Sequence, residues 1–413
     1  MKAGVSTRDM TFPELIGNPS IHDPLFAKVL VLDDGENPVA VITLDIVDPF
    51  FPEVRERIRH QLGIEHTLVN CSHTHTDGRD SRKENWAKTI GELIYSATEE
   101  AYANRVNVSL RVGRGSAQVG YNRRLADENG VVIMAVNKEG AVVPWVNTLE
   151  AYTEDGKPLA VLFEHAAHPV ITMTGGDIGA DFPGHAVNRI NEELGDGATA
   201  LFAQGCGANI NGYPVSFSIE GGWHERAEEA GRKLGDGVLE AMRNSTEIKA
   251  DKLKVRSTRI TLPTQELPSM EVWRDACERL RILSLHEYQR QEPLLQSIKE
   301  MIERGEWSPS EVQFDINAVM LGSAWCLVTL PAEIFCEYEL WVDETAPFDH
   351  NMTFGYTNEG PGYIATDKEL ALREKGGYEA GCFPSLWASP VNRPLAVGME
   401  GIIKDGIASL WTD

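Results

Sequence analysis

Apolar and polar positions in the first half of the chain predict strands and helices in alternation. Two runs rich in valine and leucine, residues 26–32 and 38–46, are separated by a polar turn, which predicts a pair of strands. From about Pro52, apolar side chains recur at four-residue intervals, which predicts an amphipathic helix. A strand at residues 66–69 and a long helix at 84–104 follow. This alternation is typical of α/β proteins.

Similar patterns continue through the rest of the chain. Short apolar runs predict further strands at residues 109–112, 131–136, 159–164, 200–203, 253–262, 314–320 and 324–330. Helices are predicted from Pro183, at residues 223–242 and from near Glu333. Residues 263–309 are charged and helical in composition, which predicts a helical hairpin laid over the sheet. No linker or repeat marks a boundary, so we predict one domain spanning residues 1–413.

The composition disfavours several classes of partner and location. Acidic residues outnumber basic ones 62 to 38, a formal charge of −24, so nucleic acid and anionic membranes are poor partners. The N-terminus lacks the apolar core of a signal peptide, and no run is long enough to span a membrane. A cytoplasmic location is therefore expected. Six scattered cysteines without CxxC spacing argue against a zinc ribbon and against a disulfide framework.

His73 and His75 form a His-x-His pair shortly after the predicted strand at residues 66–69. Residues two apart in a strand point to the same side, so both imidazoles can face one cavity at the strand end. Many metal sites begin this way, but such pairs also occur on exposed strand faces. Because zinc sites need three or four convergent ligands, the pair alone leaves a ligand role open.

Two further histidines and a glutamate also follow predicted strands. His165 and His168 lie at a strand end just before a proline. One of them can join the site of the His-x-His pair, whereas a buried histidine bonded to a backbone carbonyl is the simpler alternative. Glu333 lies at the predicted start of a helix, where a carboxylate also serves as a partner of the helix dipole.

Two glycine-rich loops supply the remaining candidates. Residues 204–212 follow a strand and can bring backbone N–H groups near a ligand, but they lack the patterns of nucleotide-binding loops. Cys206 in this loop is a candidate nucleophile, although a buried, inert thiol is favoured because no neighbouring base is indicated. The turn at residues 358–366 presents Tyr363, either as a functional group or as a packing residue.

Taken together, these segments resemble the catalytic domain of the neutral ceramidase family, whose motifs occur in the same order. The resemblance covers residues 3–400 and includes the family's Thr-His-Thr-His loop and Pro-Gly-Glu segment. It implies layered mixed β-sheets flanked by helices, with a helical insert at about 263–309. The matching segments are residues 70–77, Asn122-Arg123, His168-Pro169, Leu330-Pro331-Ala332-Glu333, Tyr363-Ile364-Ala365-Thr366 and Gly377-Tyr378-Glu379.

The resemblance also implies roles for individual residues. One zinc ion is implied, with a water completing its shell, on the ligands His73, His168, Glu333 and Tyr363. His75 is then placed to exchange a proton with the substrate or with that water. Arg123 and Tyr378 are placed to hold a carbonyl oxygen as it becomes an oxyanion. Candidate partners of the ligands, with surface roles as the alternative, are His165, Asp177 and Asp181.

The chain departs from the family pattern in two places. Asn209 stands where the family has an aspartate, and Asn211 where it has a serine often assigned to the reaction centre. With Asn122, these asparagines are candidate substrate-binding residues. The sequence also ends at Asp413 without the family's C-terminal immunoglobulin-like domain. We therefore expect a small soluble substrate rather than a membrane sphingolipid, and we expect the insert at 263–309 to roof the site.

The leading hypothesis from sequence is a zinc-dependent hydrolase that cleaves an amide bond in a small soluble molecule through a metal-activated water. The same site suits a carbohydrate-active enzyme, either a glycoside hydrolase or a lyase, with His75 as the base. A metal-binding homologue without activity is a third alternative, and a Cys206 nucleophile a fourth. The sequence leaves the oligomeric state open, a homo-oligomer included.

Overall fold

The computed structural model describes residues 1–195, 197–215, 220–265, 269–283, 285–305, 311–380 and 395–412. The helices are α1 (Pro52–Leu62), α2 (Trp86–Ala103), α3 (Asp181–Leu194), α4 (Trp223–Arg243), α5 (Met270–Leu283), α6 (Leu285–Arg304), α7 (Cys336–Thr345), α8 (Asp367–Leu370), α9 (Gly377–Ala380) and α10 (Met399–Ser409). The strands up to residue 204 are β1 (Lys2–Asp9), β2 (Phe26–Asp33), β3 (Val39–Leu44), β4 (His66–Cys71), β5 (Val106–Ser116), β6 (Gly120–Ala126), β7 (Val132–Asn137), β8 (Trp145–Thr153), β9 (Pro158–His165) and β10 (Thr199–Gln204). The later strands are β11 (Ile210–Gly212), β12 (Thr246–Ile248), β13 (Leu253–Pro263), β14 (Glu311–Leu321), β15 (Trp325–Thr329), β16 (Glu333–Ile334), β17 (His350–Phe354) and β18 (Tyr363–Ile364).

A nine-stranded mixed sheet forms the main layer. Its strand order is β10-β9-β8-β5-β1-β2-β3-β4, and β12 pairs with β5. The pairs β3 with β4 and β9 with β10 are parallel, whereas the neighbouring pairs within the sheet are antiparallel. Buried side chains of α2, such as Ile90 and Ile94, pack on one end of the sheet against Val29, Ile42 and Val69. Helices α3 and α4 pack together on the β8–β10 end.

A second sheet, of order β13-β14-β15-β17, packs face to face with the first. Leu327 and Phe354 of this sheet share a buried cluster with Leu30, Leu68 and Leu149 of the main sheet. Helices α7 and α10 cover the opposite face of the second sheet. The predicted fold class, layered mixed sheets flanked by helices, is therefore confirmed. In the described part of the chain, every helix is too short or too polar to cross a membrane.

Most predicted elements are present, but the predicted helix start near Glu333 is wrong. Glu333 lies in the short strand β16, and its N–H donates to the carbonyl of Gly362 at 2.9 Å, so the backbone there is extended. Helix α7 begins only at Cys336. The hairpin predicted between residues 263 and 309 is present as α5 and α6, which connect β13 to β14. Its predicted place over the site stays a prediction.

Strand ends from both sheets meet where the site motifs lie. Asn70, fully buried in β4, accepts a hydrogen bond from the N–H of Gln204 at 2.7 Å and donates to the carbonyl of Gly355 at 2.8 Å. These contacts join the carboxyl ends of β4, β10 and β17. Because α/β proteins place ligands at the carboxyl ends of parallel strands, this edge is the expected position of a functional site.

Candidate metal centre and active site

His73 and His168 direct their Nε2 atoms toward one carboxylate. The distances from Glu333 Oε2 are 3.4 Å to His73 Nε2 and 3.1 Å to His168 Nε2. The Nδ1 atoms lie 2.7 Å from the backbone carbonyls of Val47 and Gly207, respectively. A carbonyl can only accept, so each Nδ1 carries the proton and donates. Each neutral ring therefore has its free lone pair at Nε2, the atom that faces Glu333.

This donor set fits a zinc ion. Two nitrogen lone pairs and a carboxylate oxygen repel one another unless a proton or a cation lies among them, and Zn²⁺ prefers such ligands. Burial lowers the pKa of His168 to about 4, so this imidazole is neutral. Burial also lowers the pKa of His73, but the Glu333 carboxylate, the Val47 carbonyl and the Asp48 charge together outweigh it, and the net shift is upward. The same two histidines hold the pKa of Glu333 well below its usual range, although burial opposes them.

Backbone strain surrounds these ligands. His73, Ala332 and Tyr356 have φ angles of 64°, 80° and 47°, in the left-handed region that costs a residue with a side chain about 1 kcal/mol or more. Ala332 precedes Glu333 at the position that the family's Pro-Gly-Glu segment gives to glycine. Residues held in such conformations cluster at functional sites, where the surrounding structure supports them.

The backbone carbonyl that orients His73 is itself held in place. The N–H of Val47 donates to Asp77 Oδ2 at 2.7 Å, and Arg82 forms an ion pair with the same carboxylate. The N–H of His73 donates to the backbone carbonyl of Ile46 at 3.0 Å. The loop after β3 therefore fixes both the backbone and the ring of His73.

His75 joins the same cluster. One ring nitrogen from each of His73, His75 and His168 lies within 4.8 Å of the others. The ring of His75 is the exposed member, whereas the other two are buried. Desolvation by the surrounding protein and the two neighbouring histidines lower the pKa of His75 well below its usual value. A neutral histidine at the mouth of the site can accept a proton, or can serve as an alternative third nitrogen ligand.

Arg123 and Tyr363 form a second layer beside the histidines. Tyr363 pairs with Glu333 across the parallel strands β16 and β18, and its hydroxyl accepts from Arg123 Nη2 at 3.1 Å. Burial and the Glu333 carboxylate raise the pKa of Tyr363 well above its usual value, so the phenol keeps its proton although the Arg123 guanidinium opposes this shift. The ring of Tyr378 packs edge-on at 5.4 Å from Tyr363. The structure thus brings together all the predicted catalytic and metal-binding residues.

The guanidinium of Arg123 is fixed on several sides. Its Nε donates to Glu379 Oε1 at 2.6 Å, and its Nη1 donates to Asn211 Oδ1 at 2.9 Å. The residue is only 5% exposed. Removing one partner of a buried ion pair typically costs about 3–5 kcal/mol, so Glu379 is needed to keep Arg123 in this position.

The three candidate asparagines differ in their surroundings. The side-chain amides of Asn122 and Asn209 each donate to a protein oxygen and accept from a backbone N–H. Asn211 instead contacts the guanidinium of Arg123. A role of these residues in substrate binding stays a prediction, and Asn211 has the position that favours it most.

The other candidate partners of the ligands lie apart from the histidine cluster. His165 Nδ1 lies 2.8 Å from the carbonyl of Trp145, which is the alternative role considered for it from sequence. Asp181 accepts from the N–H and the hydroxyl of Thr172, both at 2.8 Å. Asp177 lies 3.2 Å from His224 Nε2. Of the two histidines in this region, only His168 therefore reaches the site.

Tyr356 is a site residue that the sequence did not indicate. Its ring centroid lies 4.6 Å from that of His73, and its buried hydroxyl lies 3.4 Å from His168 Nε2. The residue follows β17, a strand with weak apolar alternation that was not predicted. The one sequence feature that could have indicated Tyr356 is its position just after a glycine at the end of this strand.

A buried pair of carboxyl groups lies behind the glycine-rich loop that contains Cys206. A Cβ added to Gly205 would lie 2.9 Å from Glu164 Oε1 and 2.9 Å from Glu339 Oε2, so the glycine lets the loop approach both. The N–H of Cys206 donates to Glu339 Oε2 at 2.9 Å. Burial raises the pKa of the Cys206 thiol well above its usual value. The protonated thiol is a poor nucleophile, which disfavours the Cys206 alternative.

Glu339→Gln should flatten the pH dependence of stability. Burial and the charge of Glu164 raise the pKa of Glu339 well above its usual value, so the folded state holds a proton that the unfolded state loses near pH 4.5. The native protein therefore loses stability as pH rises from the unfolded-state pKa toward the folded-state pKa. Urea unfolding at pH 5, 6.5 and 8 should show that the free energy of unfolding decreases less with rising pH in Glu339→Gln than in the native protein. The exposed Glu344→Gln in the same helix is the control, and equal slopes for native and Glu339→Gln proteins would contradict this.

Comparison with known proteins gives matches at the level of structure. No family model and no curated protein sequence matches the chain. A ceramidase complexed with C2 superposes with a TM-score of 0.67 at 15% identity, covering 91% of this chain and 71% of the other. The neutral ceramidase from Pseudomonas aeruginosa superposes with a TM-score of 0.66 at 17% identity, covering 91% and 70%. The chain therefore has the fold of the neutral ceramidases, as its ordered site motifs indicate.

Proposed function

We propose that this protein is a zinc-dependent hydrolase that cleaves an amide bond in a small polar molecule. The observation that carries the proposal is that His73 Nε2 and His168 Nε2 both lie within 3.4 Å of Glu333 Oε2. It leaves two nitrogen lone pairs and a carboxylate around one point. The ceramidase fold supports the proposal, since a ceramidase hydrolyses the amide of a ceramide.

The proposed ligands are His73, His168, Glu333 and Tyr363. A zinc ion there would supply Lewis acidity and would lower the pKa of water toward about 7. The backbone carbonyls at Nδ1 of both histidines keep the rings in one tautomer and one orientation. Glu333 contributes the negative charge that offsets the cation.

Arg123 is proposed to hold the carbonyl oxygen of the substrate as negative charge develops on it. Bonds to Glu379, Asn211 and Tyr363 fix the plane of the guanidinium before the substrate arrives. Donors that are fixed in advance stabilise a transition state without reorganisation. Tyr378, next to Tyr363, is proposed to donate to the same oxygen.

His75 is proposed to carry the proton. His75 is an exposed residue, and its lowered pKa favours the neutral ring, which can accept a proton from the attacking water and return it to the leaving amine. The hydrolysis needs no serine at position 211, because water is the nucleophile. The charged and polar groups around the site favour a polar substrate.

Two measurements on the purified protein test the proposal together. Elemental analysis should find zinc in the native protein and less of it in the His73→Ala and His168→Ala variants, and a library of N-acyl compounds should contain hydrolysed members. A library of glycosides and uronates is assayed in parallel, because a carbohydrate-active enzyme could use the same groups. Turnover confined to the carbohydrate library, or undiminished turnover after complete removal of metal, would refute the proposal.

Arg123→Lys should lower kcat by roughly 10²–10³-fold while the metal content is unchanged, since one fixed oxyanion donor contributes about that much. Lysine keeps the charge but lacks the planar fork that reaches Glu379, Asn211 and Tyr363 together. The matched control is Arg124→Lys, because Arg124 also pairs with Glu379. This control should lose comparable stability but little of kcat, and equal losses of kcat in both variants would mean that Arg123 is only structural.

A further inference from the structure

A second group of metal-binding side chains lies outside the proposed active site. His22 Nδ1 lies 2.8 Å from Asp23 Oδ2, and His185 Nε2 lies 3.8 Å from the same oxygen. One ligand atom from each residue lies within 4.8 Å of the other two. His22 is exposed, whereas the side chains of Asp23 and His185 are 23% and 12% exposed. The group is therefore open to solvent on one side only.

His185 contributes a buried ring nitrogen that lacks a hydrogen-bond partner in the described part of the chain. Its Nε2 atom is buried and has no hydrogen-bond partner among the residues that the structure describes, although it faces the carboxylate of Asp23. A buried polar atom without a partner destabilises the folded protein unless a ligand supplies the missing contact. A cation bound between His185 and Asp23 would supply it.

Other side chains hold the group in place. The ring of His224 stacks on that of His22, with centroids 3.6 Å apart and planes 3° apart. His224 Nε2 lies 3.2 Å from Asp177 Oδ2, so a carboxylate orients the supporting ring. The stacked ring of His224 therefore limits the orientations that the ring of His22 can take.

We propose that His22, Asp23 and His185 bind a second divalent transition-metal ion, of the zinc and cobalt type. Two imidazole nitrogens and one carboxylate oxygen suit these ions, whereas Ca²⁺ and Mg²⁺ prefer oxygen ligands alone. The proposal does not depend on the chemistry at the first centre.

The second centre shares a backbone segment with the first. The carbonyl of Ile178 accepts from the N–H groups of His22 and Asp23, at 2.8 and 3.2 Å. The next carbonyl, that of Gly179, accepts from the hydroxyls of Thr74 and Thr76, the residues on either side of His75. An ion at the second centre therefore ties together the loop that supports His75.

Cobalt binding to the full chain tests this site. Metal-free native protein titrated with Co²⁺ should bind two ions, followed by visible absorption and by dialysis with elemental analysis. His185→Ala and His22→Ala should each lose one ion, with binding at this centre weakened more than about a hundredfold. The control is His60→Ala, an exposed histidine whose only carboxylate contact in the described chain is Glu56 of the same helix; it should keep two ions.

The outcomes separate the two proposals. His168→Ala should lose the other ion and keep the one whose binding depends on His185. Loss of an ion in His185→Ala but not in His168→Ala supports the second centre and refutes the first. Unchanged stoichiometry and affinity in both His185→Ala and His22→Ala overturn the second centre. Because His22 is exposed, its variant tests the proposal even if His185→Ala fails to fold.

Discussion

The His168→Ala variant is expected to lose the zinc ion of the active site and at least about a thousandfold of its hydrolytic turnover. Changes in an outer partner of a metal ligand already cost about 10–100-fold in affinity. Removing a ligand costs more, and without the metal the pKa of water returns to its much higher bulk value. The variant also leaves Glu333 with one histidine instead of two. Elemental analysis and turnover of an N-acyl substrate measure the two losses.

His165→Ala is a closely matched control for this experiment. His165 lies three residues away, is equally buried, and also uses Nδ1 to bond a backbone carbonyl. Its ring lies outside the histidine cluster, so the variant should lose stability but retain zinc. The His168 assignment would be wrong if both variants bound as many zinc ions as the native protein, or if both lost the same number.

The positions of the histidines could be predicted because they depend on local patterns. His73 and His168 each follow an apolar run that forms a strand, and the carboxyl ends of strands meet at one edge. Glu333 also follows such a run, but the helix start predicted there is wrong, because Glu333 lies in a strand. Its strand β16 is only two residues long and depends on pairing with Tyr363, thirty positions along the chain. The local pattern of apolar residues cannot predict a strand that is only two residues long and pairs with a distant segment.

The remaining site contacts depend on residues far apart in sequence. Tyr356 reaches His168 across 188 positions, and Glu379 reaches Arg123 across 256. Such contacts are set by how the two sheets pack, which the alternation of apolar residues does not specify. The same limit explains the asparagines. From sequence, all three are candidate substrate-binding residues. The structure places only Asn211 beside Arg123, whereas the amides of Asn122 and Asn209 donate to other protein oxygens.

His75→Ala should retain zinc and lose about 10²–10⁴-fold of turnover, the usual contribution of a general acid or base. His73→Ala should instead release the metal. The two variants lie two residues apart in one loop, so each controls for damage to the local backbone. Zinc content and kcat measured on both proteins test the division of roles, and the reverse pattern would show that the roles are exchanged.

Charge and burial favour this division over one in which His75 replaces Glu333 as a ligand. Glu333 Oε2 lies within 3.4 Å of both buried Nε2 atoms, whereas His75 is the exposed member of the histidine cluster. A carboxylate left out of the ligand set would remain largely buried without a cation to offset it, which is costly. Glu333→Gln should therefore lose zinc while His75→Gln keeps it. Retention of zinc by Glu333→Gln alone would mean that three histidines form the site.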